Sequence, residues 1–356
     1  MKSILNSGNL NGKRVLLRVD WNVPIKDGQV TDDFRIKQSL ETIEYIRKQG
    51  AKLILISHLE PEEASLRPVF ECAKRIIPEL TFDDESDCTL LENLRKSPGE
   101  KANDQGFAES LASLADIYVN EAFSVSHREH ASIVSVPKML PSFAGIEFMK
   151  EIEGLKRFFN PEHPFLFILG GAKFETKLPL LQKFITLADA VFVGGALAHN
   201  FFKEQGHDVG ASLVSSGDFH LKPMLDSGKI VLPEDMLVKS GDGIGVDFIT
   251  DVGSTDVIVD AGPKTLETLK QKINDARLIL WNGPLGLYER GFKTGTLELA
   301  KMLAESKKET VIGGADTLSA TKELNNQDTF TFVSAAGGAM LDFLAHETLP
   351  GIEALN

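Results

Sequence analysis

Residues 13–23, KRVLLRVDWNV, form an apolar, β-branched run; residues 33–50, DFRIKQSLETIEYIRKQG, space their apolar side chains as a helix does; residues 51–58, AKLILISH, are apolar again. That is strand, helix, strand. Asp32 or Asp33 is placed to cap the start of the helix and Gly50 its end. Working outward, the alternation continues with RPVFECAKRII (67–77, helix), CTLLEN (88–93, strand), DQGFAESLASLA (104–115, helix) and DIYVNEAF (116–123, strand). Strands apolar on both faces and separated by helices require a parallel sheet covered on each side.

A long amphipathic run, FAGIEFMKEIEGLKRFF (143–159), ends at NPEHP, two prolines around a polar turn, and the spacing predicts a domain joint there. A second series follows, from PFLFILGG (164–171) through AVFVGG (190–195), KIVLPEDMLV (229–238), DVIVDAG (256–262), RLILWNG (277–283) and ETVIGG (309–314) to FTFVSAAGG (330–338), with helical segments between them. A chain of 356 residues is long enough for about two domains. The predicted fold class is α/β, with two doubly wound parallel-sheet (Rossmann-like) domains joined by an interdomain helix.

Composition narrows the function classes. With 42% apolar and 25% charged residues the chain reads as an ordinary globular protein, and no apolar run reaches membrane length. The opening MKSILNSGNLNGKR lacks the apolar stretch of a secretory signal, so a cytoplasmic location is expected. A formal charge of -13 argues against nucleic acid or an anionic membrane as partner, and a monomer acting on small molecules is expected. Cys72 and Cys88 read as two ordinary thiols in a reducing compartment.

In the second half one strand after another stops on glycine: Gly170-Gly171, Gly194-Gly195, Asn282-Gly283-Pro284, Gly313-Gly314 and Gly337-Gly338. Ligands of open parallel sheets bind at the carboxyl ends of the strands, where glycine lets backbone N–H groups approach and the next helix points its positive end. The implied ligand is a polyphosphate. No Walker-type motif occurs, and GDGIGVD (241–247) has the wrong spacing for a dinucleotide fingerprint and is read as a polar loop. GGAKFETK instead sets Lys173 and Lys177 four residues apart at a strand-to-helix turn, able to face one anion. Asp316, beside Thr317 after Gly314, stands at a helix start, where it either caps the helix or meets a magnesium ion through a phosphate or water.

The first half gathers Arg18, Asp20, Asn22, His58, Arg95 and His127-Arg128 at or after predicted strands, with Arg35 early in the helix that follows the first. Basic groups clustered in an acidic protein suit a small multiply anionic substrate. An anion site in one half and a polyphosphate site in the other read as group transfer between two bound substrates. No metal-ligand spacing, serine elbow or Cys-His pair is found. Phosphoryl transfer involving a carboxylate needs none of them, because that nucleophile is already ionised and the protein need only align the reactants and neutralise charge.

Taken in order, RVDWNVP (18–24), VTDDFRI (30–36), SHL (57–59), LLENLR (90–95), FSVSHR (123–128), GGAKFETKL (170–178), VGGALAHNF (193–201), GHDVGASL (206–213), VDAGPKT (259–265), WNGPLGLYE (281–289), IGGADT (312–317) and VSAAGGAML (333–341) resemble the motifs of the phosphoglycerate kinase family over nearly the whole chain. The resemblance implies reversible phosphoryl transfer between 1,3-bisphosphoglycerate and ADP, giving 3-phosphoglycerate and ATP with Mg2+. It implies that Asp20, Asn22, Arg35, His58, Arg95 and Arg128 hold the phosphoglycerate. Arg35 and Lys173 would stabilise the transferring group, with Lys177 on the nucleotide phosphates. Gly170, Gly171, Gly194, Gly195, Asn282, Pro284, Gly313, Gly314 and Thr317 would line the nucleotide site, with Glu289 at the ribose and Asp316 by the metal. The implied domains are 1–145 for phosphoglycerate, 146–160 as interdomain helix, 161–340 for nucleotide, and 341–356 returning to the first domain, with hinge closure excluding water.

The resemblance has departures. Glu60, Pro61 and Glu62 stand where the family continues with glycine, arginine and proline, so one substrate arginine is missing; Arg67 is a candidate substitute. Ala211 replaces a lysine, Ala196, Ala315 and Ala336 replace glycines, Ala335 replaces a threonine, Lys96 a phenylalanine and Glu121 an aspartate. An added methyl would crowd the phosphate site only where φ is positive or the approach is close. The expected function is a working kinase; the alternative is a nucleotide-binding paralogue with reduced or lost turnover.

Overall fold

The computed structural model describes residues 1–356, which divide into two units, Met1–Glu153 with His346–Asn356, and Gly154–Ala345. In the first unit, six parallel strands lie in the order Thr81–Phe82, Cys88–Leu90, Lys52–Ile56, Arg14–Arg18, Ile117–Asn120, Ser142–Ala144. The chain starts on a central strand, winds outward, then returns to wind the other way. Leu17 of the first strand faces Leu55 on one side and Val119 on the other, so both neighbours are apolar. The helix Leu40–Lys48 covers this sheet with Thr42, Ile43 and Ile46, spaced by one turn. Its short forerunner Phe34–Gln38 is started by Asp32, whose Oδ1 accepts from the Phe34 N–H at 3.0 Å; Asp33, at the cap position, makes no capping bond.

The second unit repeats the plan with six parallel strands in the order Ile230–Val231, Ala190–Val193, Phe165–Leu169, Leu278–Asn282, Glu309–Gly313, Phe332–Ser334. Phe165–Leu169 is buried throughout. Its Phe165 and Phe167 pack on Phe184 of the helix Phe174–Leu187, while Leu166 and Ile168 join Phe192, Trp281 and Ile312 on the opposite face.

One segment departs from the predicted parallel series. Asp235–Ser240 pairs antiparallel with both Gly243–Phe248 and Val257–Ala261, so the stretch read as a polar loop, GDGIGVD, is a hairpin turn and its second strand. Gly241 at φ +59° supplies the left-handed step that a two-residue hairpin needs, and the second strand alternates exposed Ile244, Val246 and Phe248 with Gly243 and Gly245, two glycines that give it the look of a loop. The helix Ile146–Lys156 ends before Phe158 and Phe159, which pack on Phe165 and Phe343. Buried Glu121 receives its N-terminus, accepting from the N–H groups of Glu147 (3.1 Å) and Phe148 (3.2 Å), and burial pushes the Glu121 carboxyl up to about 7. No helix is long and apolar enough to cross a membrane.

Candidate functional site

At the carboxyl end of Arg14–Arg18, beside Ile117–Asn120, the first sheet reverses its winding. Val19, Trp21 and Val23 continue the strand into the core, so side-chain alternation turns Asp20 and Asn22 the other way. Trp21 is the bolt: its indole N–H donates to Ser39 Oγ and its backbone N–H to Ser57 Oγ, both at 2.9 Å. Asp20 accepts from Arg35 at 2.7 Å and from the Ser124 hydroxyl. Burial would raise this carboxyl, yet Arg35 first, with the Ser124 hydroxyl, outweighs it and holds Asp20 below the usual carboxylate range. Arg35 also donates to the Asn22 carbonyl at 3.2 Å and stays one-third exposed (34%), so the guanidinium is aimed but not consumed.

His58 lies 3.7 Å from Asp20, and burial, reinforced by Arg18, Arg95 and Arg128, holds its ring neutral with a pKa well below the ordinary value. His130 is pushed down to about 4 by burial and then by Arg95, Arg18, Arg128 and Lys101. Both imidazoles are neutral chiefly because they are buried, with the same three arginines, Arg18, Arg95 and Arg128, adding to the effect. Arg95, on the turn Leu94–Lys96, is buried, and its Nε and one terminal nitrogen have no hydrogen-bond partner. A buried donor left unmade costs about 1–3 kcal/mol, which an arriving anion returns.

Two basic residues read as candidates do not serve here. Arg18 is fully buried and tied to Ser132 (2.9 Å) and His58 (3.2 Å), so it braces the strand end from behind. Arg67, the candidate substitute for the missing arginine, stacks its guanidinium 4.4 Å from the Phe82 ring centre on the edge strand. Arg67→Ala is accordingly expected to leave the kinetic constants unchanged and to cost about 0.5–1 kcal/mol of stability, read by denaturant unfolding; a raised Michaelis constant for phosphoglycerate would contradict this.

In the second sheet the winding reverses between Phe165–Leu169 and Leu278–Asn282, and both strands end in glycine. The N–H groups of Gly170 and Gly171 donate to the carbonyls of Asn282 and Pro284, each at 2.9 Å, so the two turns interlock. Lys177 rises from the first turn of Phe174–Leu187 and folds its ammonium back onto the Gly170 carbonyl. At Gly171 (φ +98°) and Gly283 (φ +92°) a Cβ would stand 2.9 and 2.7 Å from that ammonium, so a side chain at either position would strain the backbone and displace Lys177. Burial draws the Lys177 pKa down to about 8 against the opposing pull of Asp316.

The helices Phe174–Leu187, Ala196–Glu204 and Ala315–Glu323 start directly after these turns, and none has a side-chain cap. In the first and third of these the first N–H groups remain available to an anion, whereas in the second the Leu197 N–H donates to the Gly171 carbonyl at 3.1 Å. Lys173 occupies the first cap position and is exposed. Asn282 and Thr317 are buried and brace the turns: Asn282 Nδ2 donates to the Gly313 carbonyl at 3.0 Å, and the Gly283 N–H to Thr317 Oγ1 at 2.9 Å. Ala196, Ala315, Ala335 and Ala336 all have negative φ, so their methyls impose no backbone strain. Gly194 and Gly195 open onto an apolar pocket lined by Ala198, Phe202, Met236, Ile258, Leu285 and Leu287. Sequence reading missed this pocket because its walls come from the antiparallel excursion and from a turn; the only local signal was Leu285 and Leu287 alternating beyond the strand.

Asp316 sits at the second position of its helix, half-buried, and burial and then Glu289 raise its carboxyl while Lys177 opposes them. No group of three or more His, Cys, Asp or Glu side chains is assembled anywhere in the chain to hold a metal. One half-buried hard carboxylate, with the Lys177 ammonium as its opposing charge, fits a Mg2+ ion that is carried mainly by phosphate oxygens.

Residues 5–347 match the family model for phosphoglycerate kinase. A phosphoglycerate kinase of Finegoldia magna is 39% identical over 100% of this chain and 99% of its own, and one of Dictyoglomus turgidum is 37% identical over 99% and 97%. The solved phosphoglycerate kinase of Coxiella burnetii superposes with a TM-score of 0.87 at 36% identity, covering 99% of this chain and 98% of that one. That of Pyrococcus horikoshii gives 0.86 at 28% identity, covering 100% and 98%. With full-length likeness in sequence and in both sheets, the chain belongs to the phosphoglycerate kinase family.

Proposed function

We propose that the protein transfers a phosphoryl group reversibly between 1,3-bisphosphoglycerate and ADP, giving 3-phosphoglycerate and ATP. The observation that carries this reading is the buried Lys177 ammonium, held by a carbonyl inside interlocked glycine turns, a fixed positive charge that suits a polyphosphate. Gly170, Gly171, Gly194, Gly195, Gly313 and Gly314 give the nucleotide close access to backbone, Asn282, Pro284 and Thr317 shape the turns, the apolar pocket takes the base, and Glu289 reaches the ribose. Asp316 would hold Mg2+, which supplies charge neutralisation on the phosphates when bound. In the first unit Asp20, Asn22, His58, Arg95 and Arg128 hold the phosphoglycerate. Arg35 and Lys173 meet the migrating phosphoryl group, where fixed charge lowers the barrier without reorganisation. The protein acts as a monomer in the cytoplasm, on small molecules and not on nucleic acid or membrane.

The alternative of a folded paralogue without turnover is not favoured, because Arg35, Lys173, Lys177 and Asp316 are all retained in place. Steady-state assay with 3-phosphoglycerate, ATP and Mg2+ is expected to give turnover of about 1–100 per second, and Lys173→Ala roughly 100-fold less or lower with unchanged thermal unfolding. Wild-type turnover no higher than that of the variant would overturn the reading.

A further inference from the structure

We propose that Glu60 sets the affinity of the first unit's anion site by competing with the ligand for Arg95, an inference that rests on reading this site as the phosphoglycerate site. Glu60, itself outside the set expected to hold the ligand, touches two of its members. Its carboxylate pairs with a terminal nitrogen of Arg95, and its backbone N–H donates to Asn22 Oδ1 at 3.1 Å. The two charges of the pair lie in different surroundings: the Arg95 side chain is 2% exposed and that of Glu60 is 58% exposed. A carboxylate that reaches a buried guanidinium from the solvent side can return to water at little cost, because exposed ion pairs stabilise weakly.

Nor does Glu60 satisfy its partner, since Arg95 Nε and the other terminal nitrogen stay buried and unbonded. A phosphate, with three oxygens and nearly two charges, can engage a guanidinium through paired donors and displaces a single carboxylate oxygen. The next acid repeats the device: Glu62 pairs with Lys101, another of the cations that lower His130. The segment Glu60–Glu62 thus takes the Arg95 charge out of the free site, and a ligand must recover it. Once displaced, Glu60 remains as a like charge beside the bound phosphate and favours its release.

The test is Glu60→Gln in the full chain at fixed ionic strength, with 3-phosphoglycerate varied at saturating ATP and Mg2+, and direct calorimetric binding of 3-phosphoglycerate. The Michaelis and dissociation constants for 3-phosphoglycerate are expected to fall about twofold to fivefold, with the Michaelis constant for ATP and the thermal unfolding unchanged. In an Arg95→Ala background, where the pair is gone, the gain should shrink or vanish. Unchanged or weaker binding by Glu60→Gln, in a protein where Arg95→Lys does weaken binding, overturns the competition and leaves Glu60 a positioning or surface residue. If Arg95→Lys and Arg95→Ala both bind 3-phosphoglycerate as the wild type does, the reading of the site itself fails, and this inference with it.

Discussion

Arg35→Ala is expected to lower turnover by about 10³-fold, the order seen when a single charge on a transferring phosphoryl group is removed, and to raise the Michaelis constant for phosphoglycerate. The size follows from how the side chain is held. Asp20 and the Asn22 carbonyl fix one terminal nitrogen and leave the guanidinium partly exposed, so a prepositioned charge is lost, not a flexible one. Arg35→Lys keeps the charge without the planar fork and should recover part of the turnover. The readout is coupled steady-state kinetics with thermal unfolding as control, because Asp20, deprived of its closest cation, must then rely on the Ser124 hydroxyl. Turnover within about threefold of wild type would remove Arg35 from the chemistry.

Lys177→Met should cut turnover and nucleotide affinity by roughly 10²- to 10³-fold while leaving the fold as stable or more so. Its ammonium is costly to bury and has only the Gly170 carbonyl and the charge of Asp316 to offset that cost, whereas a methionine of similar volume has nothing to desolvate. The same feature predicts a pH dependence. In the free protein Lys177 titrates at about 8, and a bound polyphosphate raises that value. The charged form is therefore present in both states below pH 8, and nucleotide affinity falls as pH rises beyond it, by at most about tenfold per pH unit. Calorimetric titration of ADP from pH 7 to 10 should show this fall, with proton uptake, in the wild type and a flat profile in Lys177→Met. A parallel fall in both would assign the titration to another group.

Strands such as RVLLR and FLFIL are apolar on successive residues, and that burial on two faces already demanded a parallel sheet between helices. Glycine at the strand ends was equally legible, because few side chains tolerate the backbone found at Gly171 and Gly283. The antiparallel excursion at 235–261 was not, since Gly241, Gly243 and Gly245 mask the alternation of Ile244, Val246 and Phe248 in its outer strand. The character of single basic residues was hidden as well: Arg18, Arg67 and Arg95 look alike in a sequence, yet one is a brace, one stacks on a ring and one is buried with unmet donors.

By itself, then, the order of residues determined the α/β class, the repeat of strand and helix, the glycine turns and the family, because each depends on local periodicity or on short motifs taken in order. Only the tertiary structure decided which charges are free to act. Whether Glu60 neutralises Arg95, whether Lys177 is desolvated to a pKa of about 8, and which walls close the apolar pocket all depend on neighbours far apart in the chain. Electrostatic effects are set by distance and by exclusion of water, and folding alone fixes both.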